Sequence, residues 1–455
     1  MEASRVVVLG LARQGKALAR YFSERGAQVV VSDMKPEVEL TAEMSELEDT
    51  SVEFIVGGHP PELLEGADLL CLSGGVPADL PLARQARLQG IRVTNDAQLF
   101  LEASPASVIG ITGSAGKTTT TELVGRMARA AAHNMDRSVW VGGNIGRPLI
   151  SDLDQIRPRD FVVMELSSFQ LELMTLSPQL ASILNLTPNH LDRHRDMQAY
   201  AAAKSNILAH QSSSELAVLG REDPGAWALR DQVRGRRITF GVRPSPEPGT
   251  FVEDGELRLQ LDGASLGLFP LEAIALRGSH NLLNVLAACA IASAAEIEPE
   301  AMQAGVEGFK GVEHRLEFVR RLRGAAWYND SIATAPERTA AALRSFGEPI
   351  VLLLGGRDKG LPWNDLIRLI QDRVDHLVLF GELAPMVERA LRATGVPERP
   401  LSTAVVAGLE EAVSAAAQVA NPGDVVLLAP GGTSYDQFVD FAARGERFKQ
   451  LVETL

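Results

Sequence analysis

The strongest constraint on this chain is the run Thr112-Gly113-Ser114-Ala115-Gly116-Lys117-Thr118-Thr119. An apolar stretch, Ser107-Val108-Ile109-Gly110-Ile111, leads into it, and a helix-like stretch over 117–132 leaves it. A strand that ends in glycines and opens a helix turns successive backbone N–H groups toward one point, where a phosphate fits. Lys117 adds a point charge, and the Thr118 hydroxyl can hold Mg²⁺. Gly113, Ser114, Ala115, Gly116, Lys117, Thr118 and Thr119 therefore form a candidate triphosphate cradle. The strict P-loop pattern would place glycine at position 111, where this chain has Ile111, so the loop is a variant. The plainer reading is an incidental Gly-rich turn.

A strand feeding a helix in this way belongs to parallel-sheet α/β architecture, and the pattern recurs along the chain. The 455 residues suggest three domains. The first opens with strand, turn, helix and strand over 6–9, 16–24 and 28–33, with further strands over 68–72 and 91–94. The second has strands over 107–112, 138–141, 161–164 and 181–184. Short alternating runs with Pro, Gly and Asp over 236–276 then suggest a small antiparallel appendage. The third has strands over 325–328, 350–354, 376–380 and 424–429, with helices between. The expected divisions are 1–103, 104–312 and 313–455.

Composition narrows the function classes. Net charge is −14, from 44 basic and 58 acidic residues, which argues against non-specific binding to nucleic acid or to an anionic membrane. An acidic protein that handles anions must concentrate cations locally. Two cysteines, Cys71 and Cys289, exclude a disulfide framework and fit a reducing compartment. No signal pattern or uninterrupted apolar stretch of membrane-spanning length is present, so a cytoplasmic protein is expected.

Other motifs carry two readings each. Gly10-Leu11-Ala12-Arg13-Gln14-Gly15, with Asp33 ending the next strand, approximates a dinucleotide fingerprint, but could equally be a tight strand-to-helix turn. Glu165 ends a strand placed to neighbour the phosphate-loop strand. It is either a Mg²⁺ ligand or a solvated strand-end acid. His190 and His194, in Asn189-His190-Leu191-Asp192-Arg193-His194, are as readily structural as functional. Lys204, in an Ala-rich helical run, would ordinarily be a solvated surface residue.

Taken in order, the phosphate loop, Met164-Glu165-Leu166-Ser167-Ser168-Phe169-Gln170-Leu171, the run 189–194, Ala201-Ala202-Ala203-Lys204-Ser205-Asn206 and Gly278-Ser279-His280-Asn281 resemble the Mur ligases. These are the ATP-dependent amide-forming enzymes of peptidoglycan precursor synthesis. The second and third strings are most similar to the branch that joins D-glutamate to UDP-N-acetylmuramoyl-L-alanine. The resemblance covers essentially the whole chain and includes Pro430-Gly431-Gly432-Thr433-Ser434-Tyr435-Asp436-Gln437-Phe438. It implies an N-terminal Rossmann-like UDP-binding domain, a central P-loop ATPase domain and a C-terminal Rossmann-like domain for the amino acid.

By the same resemblance, Leu11, Ala12, Arg13, Asp33 and Gly75 would hold the UDP part. Asn144, Ser167 and Gln170 would meet the muramoyl-alanine arm. Lys117, Thr118 and Glu165 would serve the ATP phosphates and a first Mg²⁺. His190 and a carbamylated Lys204 would serve a second Mg²⁺. Asn281 would contact adenine, and Arg315 and Asp330 would close over ATP. Thr334, Lys359, Ser434 and Phe438 would hold the incoming amino acid. The family commonly has Pro at the position of Gly74, Asn at that of Ala115 and Lys at that of Ile332, and the last departure removes a cation. ATP, the UDP-sugar and D-glutamate are thus the expected partners of a monomeric enzyme. The same ligase chemistry with L-glutamate, a folylpolyglutamate-synthase-like ligase, a nucleotide-switched binding module and a nicotinamide-dependent reductase are the alternatives.

Overall fold

The computed structural model describes residues 5–133, 135–188, 194–393 and 399–455. They form two compact units, one of residues up to 275 with 279–309, the other of 276–278 with 310–455.

The first unit carries two sheets. The N-terminal one is all parallel, in the order Val52–Val56, Gln28–Asp33, Arg5–Leu9, Leu69–Leu72, Arg92–Thr94. Its central strands are continuous Val and Leu runs because helices cover both faces, and Val6, Val7, Val8 and Leu9 are fully buried. The edge strand Val52–Val56 was not expected. Its mixed sequence, Val-Glu-Phe-Ile-Val, gives no clean alternation.

The second sheet has nine strands. Val108–Thr112, which feeds the phosphate loop, lies between Leu180–Ile183 and Phe161–Glu165, with Val139–Gly143 outermost on that side. On the other side come Leu216–Gly220, Arg236–Phe240, Gly249–Glu253, Glu256–Leu261 and Ala264–Pro270. The expected antiparallel appendage is present, over 249–270, and is continuous with this sheet. Arg236–Phe240 pairs in parallel with both neighbours, and only the last two pairings are antiparallel. Helix Lys117–Ala132 matches the expected span, and Ser279–Ala294 packs against it. Val285 to Ala292 are buried without interruption, as in a helix enclosed on all sides.

Among the described residues the second unit forms a six-stranded sheet, in the order Glu317–Leu322, Ala325–Asn329, Val425–Gly431, Ile350–Gly355, Val374–Phe380, Ser402–Val406. All pair in parallel except the first two. Among the described residues, no helix is long and apolar enough to cross a membrane.

Candidate active site

In the first unit the candidate residues gather at the C-terminal ends of parallel strands, where α/β sheets open a crevice for ligands. Gly116 sits at φ +82°, just before helix Lys117–Ala132, and an added Cβ would lie 2.2 Å from Asn284 Oδ1. Glycine is therefore required both by the left-handed backbone and by the close approach of helix Ser279–Ala294. Asn185 brackets the loop from the next strand end. Its carbonyl accepts from Ser114 N, its Oδ1 accepts from Ala115 N at 2.8 Å, and its Nδ2 donates to Ala115 O at 3.0 Å.

Lys117 Nζ folds over the loop and donates to Gly113 O at 3.0 Å. Thr118 Oγ1 donates to Glu165 Oε2 at 2.9 Å, while Asn144 Nδ2 donates to Glu165 Oε1 at 2.8 Å. Glu165 is only 1% exposed, so the solvated strand-end reading fails. A hydroxyl and a carboxylate oxygen beside a phosphate cradle are the hard donors that Mg²⁺ takes, with nucleotide oxygens and water completing its shell. Among the described residues no three His, Cys, Asp or Glu side chains form a cage for a metal by themselves.

Lys204 departs furthest from the plainer expectation. It is 1% exposed, within helix Met197–Ala209, and its Nζ donates to Thr112 Oγ1 at 3.0 Å. Thr112 Oγ1 in turn donates to Leu166 O at 2.7 Å. The Lys204 ammonium lies 5.1 Å from the Tyr200 ring centroid. Burial, then the charge of Lys117, pull the Lys204 pKa well below the ordinary lysine range, with Glu165 opposing. Tyr200 OH donates to Ser114 Oγ at 3.0 Å, and His194 packs between Phe169 and Tyr200 while bonding Ser168 Oγ at 2.9 Å. His194 is thus a packed, buried residue. His190 lies outside the described residues.

Ser167 caps helix Ser168–Leu171 in a reciprocal box with Gln170. The Gln170 amide is fully engaged. Its Oε1 accepts from Ser167 N at 3.1 Å, and its Nε2 donates to both oxygens of Asp96 at 3.3 Å. Burial lifts Asp96 to about 6, and the Gln170 bond opposes. Asp96 was not singled out from the sequence, where it reads as an ordinary acid at a helix start. In the N-terminal turn, Asp33 Oδ2 accepts from Leu11 N at 2.8 Å, so Asp33 shapes the turn. A Cβ on Gly15 would lie 1.8 Å from Gly10 O, which is the close approach that the glycine spacing supplies. Ala12 precedes helix Arg13–Ser23, and Arg13 Nη2 donates to Asn144 O at 2.8 Å. Gly75 lies just past Leu69–Leu72, at the end of the next strand. Asn281 is half-buried and accepts from Asn284 Nδ2 at 3.1 Å.

The second unit gathers the remaining candidates at its own strand ends. Asp330 is buried, accepts from Leu316 N at 3.0 Å, and is raised to about 7 by burial, against the charges of Arg315 and Arg338. Lys359 Nζ donates to Thr334 Oγ1 at 3.1 Å, and Ser434 is buried. Phe438 is partly buried against the apolar cluster around Trp327 and Phe448, with its amide on Ser434 O.

Three family models match in chain order: a Mur ligase MurD-like N-terminal domain over 4–95, a Mur ligase middle domain over 111–292 and a Mur ligase glutamate ligase domain over 314–432. A UDP-N-acetylmuramoylalanine--D-glutamate ligase from Pelotomaculum thermopropionicum is 39% identical over 99% of this chain and 98% of its own. This chain belongs to the Mur ligase family, on its MurD-like branch. A second such relative, from Symbiobacterium thermophilum, is 41% identical over the same shares. Among solved Mur ligases, the UDP-N-acetylmuramate-alanine ligase MurC of Thermotoga maritima shares the fold over the full length of both chains, at TM-score 0.59 and 20% identity. MurF from Acinetobacter baumannii does so at TM-score 0.56 and 18% identity, over 98% of this chain and 93% of its own. The three-domain α/β fold is that of the Mur ligases.

Proposed function

We propose that this chain is an ATP-dependent ligase that joins D-glutamate to the L-alanyl carboxylate of UDP-N-acetylmuramoyl-L-alanine, in peptidoglycan precursor synthesis. The observation that carries the reading is the meeting of Thr118 and Glu165 at the head of the phosphate loop, 2.9 Å apart, with Lys117 on the same loop. Full-length likeness to D-glutamate ligases supplies the substrates.

An amide does not form readily from a carboxylate and an amine, because the departing oxygen is a poor leaving group. The L-alanyl carboxylate oxygen attacks the γ-phosphorus and ADP departs, leaving an acyl phosphate. The amine of D-glutamate then attacks the acyl carbon, the proton passes to a base, and phosphate leaves with one former carboxylate oxygen. The first step brings anion against anion, at roughly 4 kcal/mol per unit pair at about 4 Å and an effective dielectric of about 20. Lys117 offsets part of that repulsion, and its charge stays beside the phosphoryl group throughout. Mg²⁺, held by Thr118 and Glu165 when bound, would supply further charge neutralisation between the two anions. Asn144 keeps the Glu165 carboxylate in place through one oxygen.

Lys204 belongs to the proposal as a carbamate. Its depressed pKa raises the share of neutral amine, which adds to carbon dioxide, forming the N–C bond and releasing a proton to water. The product is an anionic oxygen ligand in place of a cation that would repel Mg²⁺. With His190 it would hold the second ion. Lys204→Ala should be nearly inactive and partly rescued by acetate or formate, whereas Lys204→Arg should not be rescued. The divisions 1–103, 104–312 and 313–455 assign the UDP-substrate, ATP and amino-acid parts. Leu11, Ala12, Arg13, Asp33 and Gly75 are assigned to UDP, and Asn144, Ser167 and Gln170 to the muramoyl-alanine arm. Asn281, Arg315 and Asp330 are assigned to ATP, and Thr334, Lys359, Ser434 and Phe438 to D-glutamate. A cytoplasmic monomer completes the reading.

The test is phosphate release with UDP-N-acetylmuramoyl-L-alanine and ATP against a panel of D- and L-amino acids. D-Glutamate should be turned over best. Better turnover of L-glutamate or a neutral amino acid would overturn the substrate assignment. Equal phosphate release without acceptor would instead favour a nucleotide switch.

A further inference from the structure

In the second unit, three neighbouring parallel strands end on one guanidinium. Ala325–Asn329, Val425–Gly431 and Ile350–Gly355 lie side by side, and the turns that follow them carry Thr334, Ser434 and Lys359. Arg444, from helix Phe441–Thr454, reaches all three turns. Its Nε donates to Ser331 Oγ at 3.0 Å, and its Nη2 donates to Ser331 O at 3.0 Å and to Gly432 O at 3.2 Å. Its Nη1 lies 2.9 Å from where a Cβ on Gly356 would stand. Arg357 and Thr433 exchange backbone hydrogen bonds at 2.9 Å, which lock two of these turns together beside it.

The charge is unusual in its setting. Arg444 is 0% exposed, and Nη1 is buried with no hydrogen-bond partner. Among the described residues no carboxylate stands within ion-pair distance, and Asp436 acts on Arg444 only from farther off. Burial lowers Arg444 to about 10, so it remains charged at neutral pH. Its field is felt at the strand ends, where it adds to burial and Arg338 in lowering Lys359. A buried, unneutralised guanidinium is costly unless an anion completes it. Structure alone would be served as well by a neutral side chain bonding the same carbonyls.

We propose that Arg444 sets the charge class of the incoming amino acid: seated beneath the three turns, its unneutralised guanidinium favours a side-chain carboxylate over the neutral amide of the same shape. It acts through its charge and through the turns it holds, without touching the substrate. The proposal rests on the ligase reading and deepens it.

The test is the ratio of kcat/KM for D-glutamate over D-glutamine, with ATP and UDP-N-acetylmuramoyl-L-alanine saturating. In Arg444→Gln the ratio should fall by about tenfold or more. Arg444→Lys, which keeps the charge but loses the fork, should hold the ratio while lowering both values. Ser331→Ala, which removes the Nε acceptor and leaves the charge buried, should hold the ratio as well, and Arg444→Met decides the matter should Arg444→Gln not fold. If both kcat/KM values fall together and the ratio is unchanged in the neutral Arg444 variant, or if the ratio falls in Ser331→Ala as far as in that variant, Arg444 is only a clamp and the proposal is wrong. Absence of turnover by the unaltered enzyme with either amino acid would overturn the D-glutamate reading on which the proposal rests.

Discussion

Replacing Lys204 by Met should make the protein more stable and inactive at once. In the structure the Lys204 side chain is sealed from solvent, has Thr112 Oγ1 as its hydrogen-bond acceptor, and meets no carboxylate at ion-pair distance among the described residues. An ammonium has three protons to place, so the charged form is poorly served. Met fills a similar volume without charge. Relieving a buried charge is worth about 1–4 kcal/mol, and losing the Thr112 bond costs about 1 kcal/mol. Thr112 keeps its bond to Leu166 O, so no polar atom is orphaned. The net gain should be about 1–3 kcal/mol, a rise in Tm on the order of 5 °C.

The pH dependence fixes the sign. Because the folded pKa of Lys204 lies well below the ordinary 10.5, the folded state binds fewer protons than the unfolded chain between those two values. The wild type therefore gains stability as pH rises through that window, and its penalty is fully present below it. The advantage of Lys204→Met should be largest at the acid end of that window and shrink toward about pH 10. Thermal or urea unfolding in buffers free of carbon dioxide and Mg²⁺ measures this. Added bicarbonate should then stabilise the wild type and not the variant. A variant less stable than wild type near neutral pH, or an advantage that grows with pH, would refute the reasoning.

Lys117→Ala should leave the unfolding transition nearly unchanged while turnover drops by about two decades or more, as a positioned cation is lost from the phosphate site. Comparing melts with steady-state rates checks both halves. Gly116→Ala should cost about 2 kcal/mol from its left-handed backbone alone, with more from the collision with Asn284. The double variant with Asn284→Ala should recover only the collision part in urea titrations. Asp330→Asn should abolish a pH-dependent cost. Asp330 is raised from 3.8 to about 7, so wild-type stability falls as pH rises across that range, by at most about 4 kcal/mol. Stability of the variant measured across the same range should be flat by comparison.

The parallel sheets were legible because buried strands such as Val6-Val7-Val8-Leu9 and Ile350-Val351-Leu352-Leu353-Leu354 are continuous apolar runs between helical segments. Three edge strands were not. Val52–Val56, Glu317–Leu322 and Ser402–Val406 alternate too weakly to stand out, and none of their residues is buried, whereas the edge strands Arg92–Thr94 and Val139–Gly143 were expected. The antiparallel hairpins were found, but their attachment to the central sheet was not, since the parallel pairing of Arg236–Phe240 is a long-range choice. At the site, the phosphate loop and Glu165 were visible from spacing. Lys204 could be told from a surface lysine only through family likeness, because its burial depends on Thr112 and Tyr200 converging from other elements. Asp96 and Arg444 left no local signal, as each is a single charged residue near a helix start whose partners lie 74 and 113 positions away.

ATP should activate the L-alanyl carboxylate as an acyl phosphate. The most direct test of this step places a heavy-oxygen label in that carboxylate of UDP-N-acetylmuramoyl-L-alanine and follows the label during turnover with ATP and D-glutamate. One labelled oxygen should appear in each phosphate released and the other in the new amide carbonyl. Phosphate that carries no label, with amide formed at the normal rate, would contradict it.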